Sequence, residues 1–287
     1  MIASKFLTCI QNMPEESFNN FVTTLFEDEH VRTMIASTVN LPAAILNLLI
    51  EDTDWMVLRG VAQNPSLTKE LLNKLTSSTL SMIKELETTL ESHYDAHAKT
   101  QITNYIKVLV SIAKHNNTSN ETLSKLLVVH NSKLFETIAE NPNASAKLLD
   151  DLANIVLTKH LHWKEALAAL VKNVNVQLVT ITKIADAQLE DMEDYRSVEI
   201  LSLISELSVT PSYLLAKIAN VTLPVYDKFY EICESHHLLW HRCYLTLMAL
   251  ISNHNTPTSI LAELTNTSRE SHIFNAAHLE LEMRKDS

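Results

Sequence analysis

Histidine and cysteine are the residues of this sequence whose spacing could support metal chemistry. Cys233, His237 and His241 follow one another at intervals of four residues, which places them on one face of a helix. Thiolate and imidazole groups are preferred ligands of zinc, but zinc needs a further ligand or a bound water with a base nearby. His93 and His97 form a second pair with the same spacing, and the sequence has no HExxH pattern. We therefore predict no metal centre, and keep metal binding through residues 233–241 as the second alternative function.

The residue types needed for other catalytic chemistry are missing or unsuitably placed. Gly60 is the only glycine, so a phosphate-binding glycine loop or a dinucleotide fingerprint cannot be formed. Cys9, Cys233 and Cys243 are too few and too scattered for a disulfide framework or an iron–sulfur site. The Ser and Thr residues occupy helix-cap positions, and no nucleophile elbow can be identified. We predict no catalytic residue and no cofactor, and we expect a protein that is not an enzyme.

The charge of the chain restricts its partners and its location. A formal net charge of −11, from 34 acidic and 23 basic residues, repels nucleic acids and anionic membranes unless basic side chains cluster. The basic residues are dispersed, as Arg32, Arg59, Lys107, Lys133 and Lys172 show. No stretch reaches the ~20 apolar residues of a membrane span, and the N-terminus lacks the apolar run of a secretory signal. We therefore predict a cytoplasmic protein that binds neither membranes nor nucleic acids.

A recurring pattern organises the chain on which these candidates lie. It reads apolar, small, any residue, Asn, two or three residues, Thr or Pro, and then LLxxL. Seven copies can be written: Ile35–Leu49, Val61–Leu75, Ile112–Leu127, Ile138–Leu152, Leu170–Ile184, Ile204–Ile218 and Leu250–Leu264. Such internal repeats are typical of solenoid architectures.

The residues in the pattern that end one helix and start the next predict pairs of helices. Asn64 ends an amphipathic segment, because Pro65 disfavours helical geometry in the residue before it. Thr68 can then cap the next helix, and Thr256 is predicted to cap its own helix with Pro257 in the first helical position. The leucines of LLxxL fall on one face at helical spacing. A two-helix unit cannot cover that face alone, so stacked neighbours must cover it.

Two segments carry a resemblance to a known family. Residues 57–75, "VLRGVAQNPSLTKELLNKL", and residues 253–264, "NHNTPTSILAEL", resemble the leucine-rich repeat variant family, whose units carry a VRxxVAxNPxTPxxxLxxL-like pattern. The resemblance implies a right-handed superhelix related in shape to HEAT and armadillo arrays, and a bacterial cytoplasmic protein. It weakens at Leu170–Ile184 and Ile204–Ile218, where the Asn–Pro pair is absent. One branch of the family carries an iron–sulfur cluster on a cysteine-rich N-terminal segment, which Cys9 alone does not provide.

These observations together predict an all-α fold. We expect a right-handed α-solenoid of about seven irregular two-helix repeats with two helical insertions, in one domain spanning residues 1–287. Residues 1–29 and 268–287 are predicted as end caps, and residues 30–267 as the repeats. The first insertion, near 78–101, is predicted as an extra long helix over Ser78–Gln101. The second, near 221–242, is richer in aromatic residues.

Two groups of residues are candidates for a partner-binding surface. The acidic run Glu190, Asp191, Glu193 and Asp194 follows a predicted helix, where it forms either a solvated loop or an acidic ridge. The second group is aromatic and lies in the second insertion, where exposed aromatic side chains would act as anchors for a partner. It consists of Tyr226, Phe229, Tyr230 and Trp240.

The leading functional hypothesis is a non-enzymatic scaffold for protein–protein interaction. A curved, acidic surface built from helical repeats suits a protein or peptide partner with a basic or helical segment. The alternative is a HEAT-like protein that binds nucleic acid or repairs DNA bases, which would require basic residues on one face. The sequence does not specify the oligomeric state.

Overall fold

The computed structural model describes residues 28–38, 41–92, 95–158, 163–230, 233–267 and 271–285. Within these ranges the chain forms fifteen α-helices and no β-strand, which confirms the all-α prediction. None of these helices is long and apolar enough to cross a membrane. The chain divides into two compact units, Met1–Ala144 and Ser145–Ser287, which we call unit 1 and unit 2. Most of the predicted N-terminal cap lies outside the described residues.

The helices are numbered in chain order. Unit 1 contains α1 (Glu29–Ala36), α2 (Ala43–Leu49), α3 (Trp55–Ala62), α4 (Lys69–Ser92), α5 (Ala96–Lys114), α6 (Asn120–Leu126) and α7 (Ser132–Glu140). Unit 2 contains α8 (Ala146–Thr158), α9 (Lys164–Lys172), α10 (Leu178–Leu189), α11 (Tyr195–Glu206), α12 (Ser212–Tyr230), α13 (Cys233–Ser252), α14 (Thr258–Thr267) and α15 (Ser271–Lys285).

Within each unit, most helices pack against the helix two positions away in the chain, and several also pack against a chain neighbour. In unit 1, α1, α3, α5 and α7 contact one another in succession, and α4 contacts α6. In unit 2, α9, α11, α13 and α15 form the same kind of row, and α8, α10 and α12 form a second row. The LLxxL leucines lie in these contacts, because Leu72, Leu149 and Leu261 are fully buried. The predicted apolar helix faces are therefore confirmed.

The pattern asparagine joins two successive helices of a row. Asn64 follows α3, and its side-chain Nδ2 donates to the carbonyls of Ala36, the last residue of α1, and of Thr38, at 3.2 and 2.7 Å. Its Oδ1 accepts the Ser66 backbone N–H at 3.0 Å. A buried side chain that satisfies three backbone groups in this way stabilises both helix ends. We call this arrangement the asparagine staple.

The same staple occurs twice more within the units. In unit 1, Asn141 donates to the Ala113 carbonyl at 2.6 Å. In unit 2, Asn253 donates to the carbonyls of Ser205 and Leu207, at 2.7 and 3.0 Å. Polar side chains are retained at these buried positions because the carbonyls at a helix end have no partner inside the helix. The repeat spacing read from the sequence therefore corresponds to a physical connection.

His115 takes the place of this asparagine at the end of α5. Its Nδ1 accepts the Asn117 backbone N–H at 3.0 Å, so the neutral ring carries its hydrogen on Nε2. That nitrogen lies 2.9 Å from the Asn64 carbonyl and donates to it. An imidazole thus reproduces one donor and one acceptor of the asparagine amide.

Thr256 is not the N-cap that the sequence predicts. Its hydroxyl is buried and donates to the Leu250 carbonyl at 2.6 Å, at the end of α13, and α14 begins two residues later. Thr118 and Thr210 make the same bond six residues back along the chain. A threonine in this turn therefore closes the preceding helix. Thr68 does act as predicted, since its hydroxyl accepts the Leu71 N–H at 3.3 Å.

Neither insertion forms a separate helix. The first lengthens α4 to Ser92 and adds the beginning of α5, because the Asp95 carboxylate accepts the His97 N–H at 2.8 Å and starts a new helix there. The predicted single helix over Ser78–Gln101 is therefore wrong. The second insertion lengthens α12 and α13 in the same way. Each insertion is thus an extension of two antiparallel neighbours in its own unit.

Candidate functional site

A groove between α11 and α13 is the best-formed candidate site of unit 2. Its volume is about 440 Å³. Leu203, Leu245 and Met248 contribute half-buried apolar side chains, and Glu206 is exposed at one side. The groove is lined by Glu199, Ser202, Leu203, Glu206, Arg242, Leu245, Met248, Ala249, Ser252 and Asn253. An apolar floor with a few charged groups at the rim is the usual composition of a site for a ligand or a peptide.

The regular spacing of residues on the two helices forms this groove. Glu199 and Glu206 lie seven residues apart on α11, which corresponds to about two helical turns or roughly 10 Å. Arg242, Leu245 and Met248 succeed one another every three residues on α13. The opposite faces of both helices are buried, as Ile200 and Leu201 of α11 and Leu247 of α13 show. The groove is thus the face that the two amphipathic helices leave open within unit 2.

The charges of the groove are only partly compensated. Arg242 and Glu199 form an ion pair at 3.2 Å across the groove, with side-chain exposures of 30 and 41%. Among the described residues, no lysine or arginine lies within 4.0 Å of the Glu206 carboxylate. One negative charge therefore remains available at the rim. Sequence reasoning missed this site, although the spacing of the two glutamates could have revealed it.

The predicted acidic ridge is divided between solvent and an internal ion cluster. Lys164 begins α9 and is buried, and its amine lies 3.3 Å from Asp191 and 3.7 Å from Asp194. Asp194 also caps α11 by accepting the Arg196 N–H. Glu190 and Glu193 are exposed. Two of the four carboxylates therefore hold α9 to the beginning of α11, and the ridge is smaller than the sequence suggests.

The surroundings of Lys164 are structural rather than catalytic. Its amine donates to Gln188 Oε1 at 2.8 Å and to Ser197 Oγ at 2.6 Å. A serine beside a lysine can form a nucleophile when the amine accepts the hydroxyl proton. Here the Ser197 hydroxyl donates to Asp191 at 3.3 Å instead, and the residue is fully buried. No substrate can reach this hydroxyl.

Unit 1 contains the counterpart of this ion cluster. Arg32 of α1 pairs with Asp52 at 2.6 Å, and the Asp52 side chain is only 5% exposed. Asp54 caps α3 by accepting the N–H groups of Met56 and Val57. The Tyr105 hydroxyl donates to the Thr53 carbonyl, and burial together with the nearby Asp54 and Asp52 charges raises the pKa of Tyr105. The cluster joins three successive helices of one row.

The aromatic candidates are mostly internal. Tyr226 is fully buried and Phe229 is 6% exposed, so neither is the exposed anchor that the sequence suggests. The rings of Tyr226 and Trp240 stack with centroids 5.8 Å apart, because these side chains pack α12 against α13. Tyr230 and Trp240 are half-buried and keep part of their surface in solvent. The aromatic content of the second insertion therefore serves mainly to hold its two helices together.

The histidine row on α13 is exposed at its described positions. The rings of His237 and His241 stack in parallel, 6.1 Å between centroids and 7° between planes. Among the described residues, no three His, Cys, Asp or Glu side chains are placed to hold a metal ion. The side chain of Cys233 and all of His93 lie outside the described part, so the three-residue row is not tested. Burial raises the pKa of the Cys243 thiol to about 12, which leaves it inert.

Lysines within the LLxxL segments form a second set of contacts that sequence reasoning missed. Lys183 pairs with Asp150 at 2.8 Å between α10 and α8, and Lys217 pairs with Asp186 at 2.7 Å between α12 and α10. In unit 1, Lys125 donates to Asn73 Oδ1 at 2.7 Å. The hydrogen bond from Lys183, followed by that from Thr180, lowers the pKa of Asp150. The lysine of "NKL", "SKL", "TKI" and "AKI" is the signal that could have predicted them.

A polar cavity of about 580 Å³ lies in unit 1, between the turns that follow α3 and α5. It is lined by Ala62, Gln63, Pro65, Ser111, Lys114, His115, Asn116 and Asn117. His115 and Asn117 already donate to backbone carbonyls of the neighbouring turn. His115 and Asn117 are therefore used to join the two turns, and we take the α11–α13 groove as the stronger candidate.

Comparisons with known proteins do not assign the chain to a family. No protein-family model matches the sequence, and no curated protein matches it. A crystal structure of an engineered protein is similar over 96% of this chain and 76% of that chain, with 15% sequence identity and a TM-score of 0.44. A TM-score below 0.5 supports no conclusion about fold or function. The resemblance to the leucine-rich repeat variant family thus stays a prediction.

Proposed function

We propose that this chain is a non-enzymatic scaffold for protein–protein interaction, and that the α11–α13 groove binds a basic, helical segment of a partner. The observation that carries the proposal is the apolar floor of the groove with Glu206 at its rim. Apolar side chains of the partner would fill the space over Leu245 and Met248. A lysine or arginine of the partner would pair with Glu206, and the net charge of −11 would accelerate its approach.

We further propose that each unit is a short array of helical repeats of the α-solenoid kind, as the family resemblance implies. The contacts between alternate helices and the recurring asparagine staples support this proposal. Such arrays present continuous rows of helix faces, and binding of extended or helical partners is their common use.

Selection from a library of random 16-residue peptides displayed on phage tests the proposed groove. We expect selected peptides to combine lysine or arginine with apolar residues at helical spacing. Their affinity should fall at least tenfold on Met248→Glu, and should also weaken on Glu206→Lys or when the salt concentration is raised from about 0.1 to 0.5 M. Glu206→Lys provides an exposed substitution that leaves the helix contacts intact.

Leu279→Glu is the matched control, because Leu279 is 61% exposed on α15 of the same unit and does not line the groove. Binding should be unchanged in this variant. Peptides that bind equally well to Met248→Glu and Glu206→Lys would show that the groove is not the binding site. Duplex DNA at low salt serves as a second control, and a shift with DNA would favour the nucleic-acid alternative.

A further inference from the structure

An apolar patch covers two successive turns of unit 2, and the second turn begins directly after Glu206 at the rim of the groove. It consists of Val174, Leu178, Val179, Val209 and Tyr213, which are 89, 40, 55, 62 and 62% exposed. Residues 173–177 and 207–212, which form the two turns, contain no charged side chain. We call these five residues the turn patch.

The two turns lie side by side because their helices do. The helix α9 packs against α11, and α10 packs against α12. The Thr182 hydroxyl lies 3.4 Å from the Tyr213 hydroxyl, which places the beginnings of α10 and α12 in contact. The five side chains together expose on the order of 400 Å² of apolar surface, a size at which patches on proteins are often functional.

The repeats themselves show that the fold does not require apolar residues here. The position six residues after the pattern asparagine, or after the residue that replaces it, is exposed in all seven copies of the repeat. It is the small Ala44 in the first copy, charged in the next three, as Glu70, Glu121 and Lys147, and polar in the last, as Ser259. Val179 and Tyr213 are the two large apolar or aromatic side chains at this position. Burial does not account for these two side chains, and a contact with another molecule would.

Val209 replaces a residue that elsewhere stabilises the turn. At the equivalent positions, Asn143 donates to the carbonyls of Asn116 and Thr118, and Asn255 donates to those of Ser208 and Thr210. A valine cannot make these hydrogen bonds. Leu207 likewise stands where other repeats have the staple asparagine. The turn before α12 has therefore lost hydrogen-bonding residues and gained exposed apolar surface, as binding sites often do at the expense of stability.

We propose that the turn patch binds a short, uncharged, apolar segment of a partner protein. The absence of charge in both turns matches a neutral ligand and differs from the acidic rim of the groove. The exposed area is about half of the ~800 Å² per partner that a stable dimer buries, which argues against a second copy. The inference shares with the proposed function the premise that the chain binds proteins, but it concerns different residues and a partner of different chemistry.

A library of random 12-residue peptides displayed on phage is the probe for the test. Peptides selected on the full chain in 0.5 M salt, which suppresses electrostatic binding, should be rich in Val, Ile, Leu and aromatic residues and poor in charge. Their affinity should fall at least tenfold on the double substitution Val179→Glu and Tyr213→Glu, which restores the charge found in earlier repeats. Met248→Glu in the groove should leave the affinity of these peptides unchanged. A failure of the turn-patch proposal can therefore be distinguished from a failure of the proposed groove.

Val209→Asn separates a binding role from a structural one. It should weaken the same peptides and at the same time raise the urea concentration at the midpoint of unfolding, because the asparagine can again donate to the neighbouring turn. Equal binding by the double variant and the natural chain would overturn the proposal. So would self-association at 100 µM in sedimentation that the double substitution abolishes, or flotation with neutral phosphatidylcholine vesicles, since either result assigns the patch to a different occupant.

Discussion

Units 1 and 2 share the same buried polar contacts between helices but present different exposed residues. Each contains an asparagine staple, Asn64 in one and Asn253 in the other, with donor distances of 2.7 and 3.2 Å in the first and 2.7 and 3.0 Å in the second. Each also holds a basic side chain of one row helix against the acidic turn before the next row helix. The exposed position six residues after the pattern asparagine differs, because unit 1 carries Ala44, Glu70 and Glu121 there and unit 2 carries Lys147, Val179, Tyr213 and Ser259.

This difference separates structural recurrence from functional specialisation. The staples recur because every row helix ends with carbonyl groups that require a donor. The exposed positions are less constrained, since their side chains are not buried between helices. Where unit 2 departs from the repeat pattern, it gains the turn patch, and the same unit also contains the α11–α13 groove. The departures are therefore more informative about function than the repeats.

The largest effect should come from the buried ion pair of unit 1. Arg32→Ala leaves Asp52 buried without its cation, and we expect it to lower the free energy of unfolding by about 3 kcal/mol. Lys164→Ala in unit 2 should cost less, about 1.5 kcal/mol, because Asp191 is 46% exposed and can be hydrated. Urea denaturation followed by circular dichroism measures both.

Lys74→Ala is the control for this pair of substitutions. Lys74 pairs with Glu51 in the same unit, but the two side chains are 51 and 61% exposed, so the loss should stay below about 0.5 kcal/mol. If Arg32→Ala were as mild as Lys74→Ala, the ion cluster would not hold the row together.

Removal of a staple asparagine should have the next largest effect. Asn64→Ala and Asn253→Ala each remove three hydrogen bonds to backbone groups, two to carbonyls and one from an N–H, which should lower the free energy of unfolding by about 2 kcal/mol in each case. Thermal and urea denaturation can both measure the loss. Equal losses in the two variants would confirm that the asparagine staple stabilises both units to the same extent. A loss in only one variant would show that the two staples are not equivalent.

Val209→Asn should have a smaller effect of opposite sign. The amide can restore up to two hydrogen bonds between turns, so we expect the free energy of unfolding to rise by about 1 kcal/mol. His115→Asn is the matched substitution in unit 1, where the histidine already donates and accepts, and it should change stability by less than about 0.5 kcal/mol. If Val209→Asn lowered the free energy of unfolding, Val209 would itself stabilise the folded state.

The smallest effect concerns pH. The hydrogen bond from Lys183 lowers the pKa of Asp150 in the folded state, so ionised Asp150 contributes stability above the unfolded value of about 3.9. That contribution is lost as the pH falls through the lowered pKa. Between pH 5 and pH 3, the natural chain should therefore lose more stability than Asp150→Asn, by about 0.5 kcal/mol. Parallel urea titrations that show no difference would mean that the pair contributes nothing.

The sequence predicted the helical class and the buried leucines, because helical periodicity and turn residues are local signals. It predicted that the pattern asparagine ends a helix, but not that its amide joins the previous helix end, since that contact spans 28 residues. Thr256 was assigned to the wrong helix for the same reason, because a threonine between two helices can bond to either. The first insertion was misread as a separate helix because a helix extension and a new helix have the same periodicity.

Candidate site residues were harder to predict than the fold. Aromatic residues in an insertion suggested exposure, but Tyr226 and Phe229 are needed between two long helices and are therefore buried. An acidic run suggested a partner, but Asp191 and Asp194 neutralise Lys164 from a distant part of the sequence. The groove depends on which faces of α11 and α13 remain open, which only the packing of the helices decides.

Site-specific photocross-linking tests the central claim most directly. A benzophenone amino acid would replace Met248 in the groove and, in a matched protein, the exposed Val128 of unit 1. Irradiation of cells that naturally contain the protein should give a defined protein adduct from position 248, weakened by Glu206→Lys, and none from position 128. Adducts of equal yield from both positions, or no adduct from position 248, would contradict the assignment of this groove as a binding site for a partner protein.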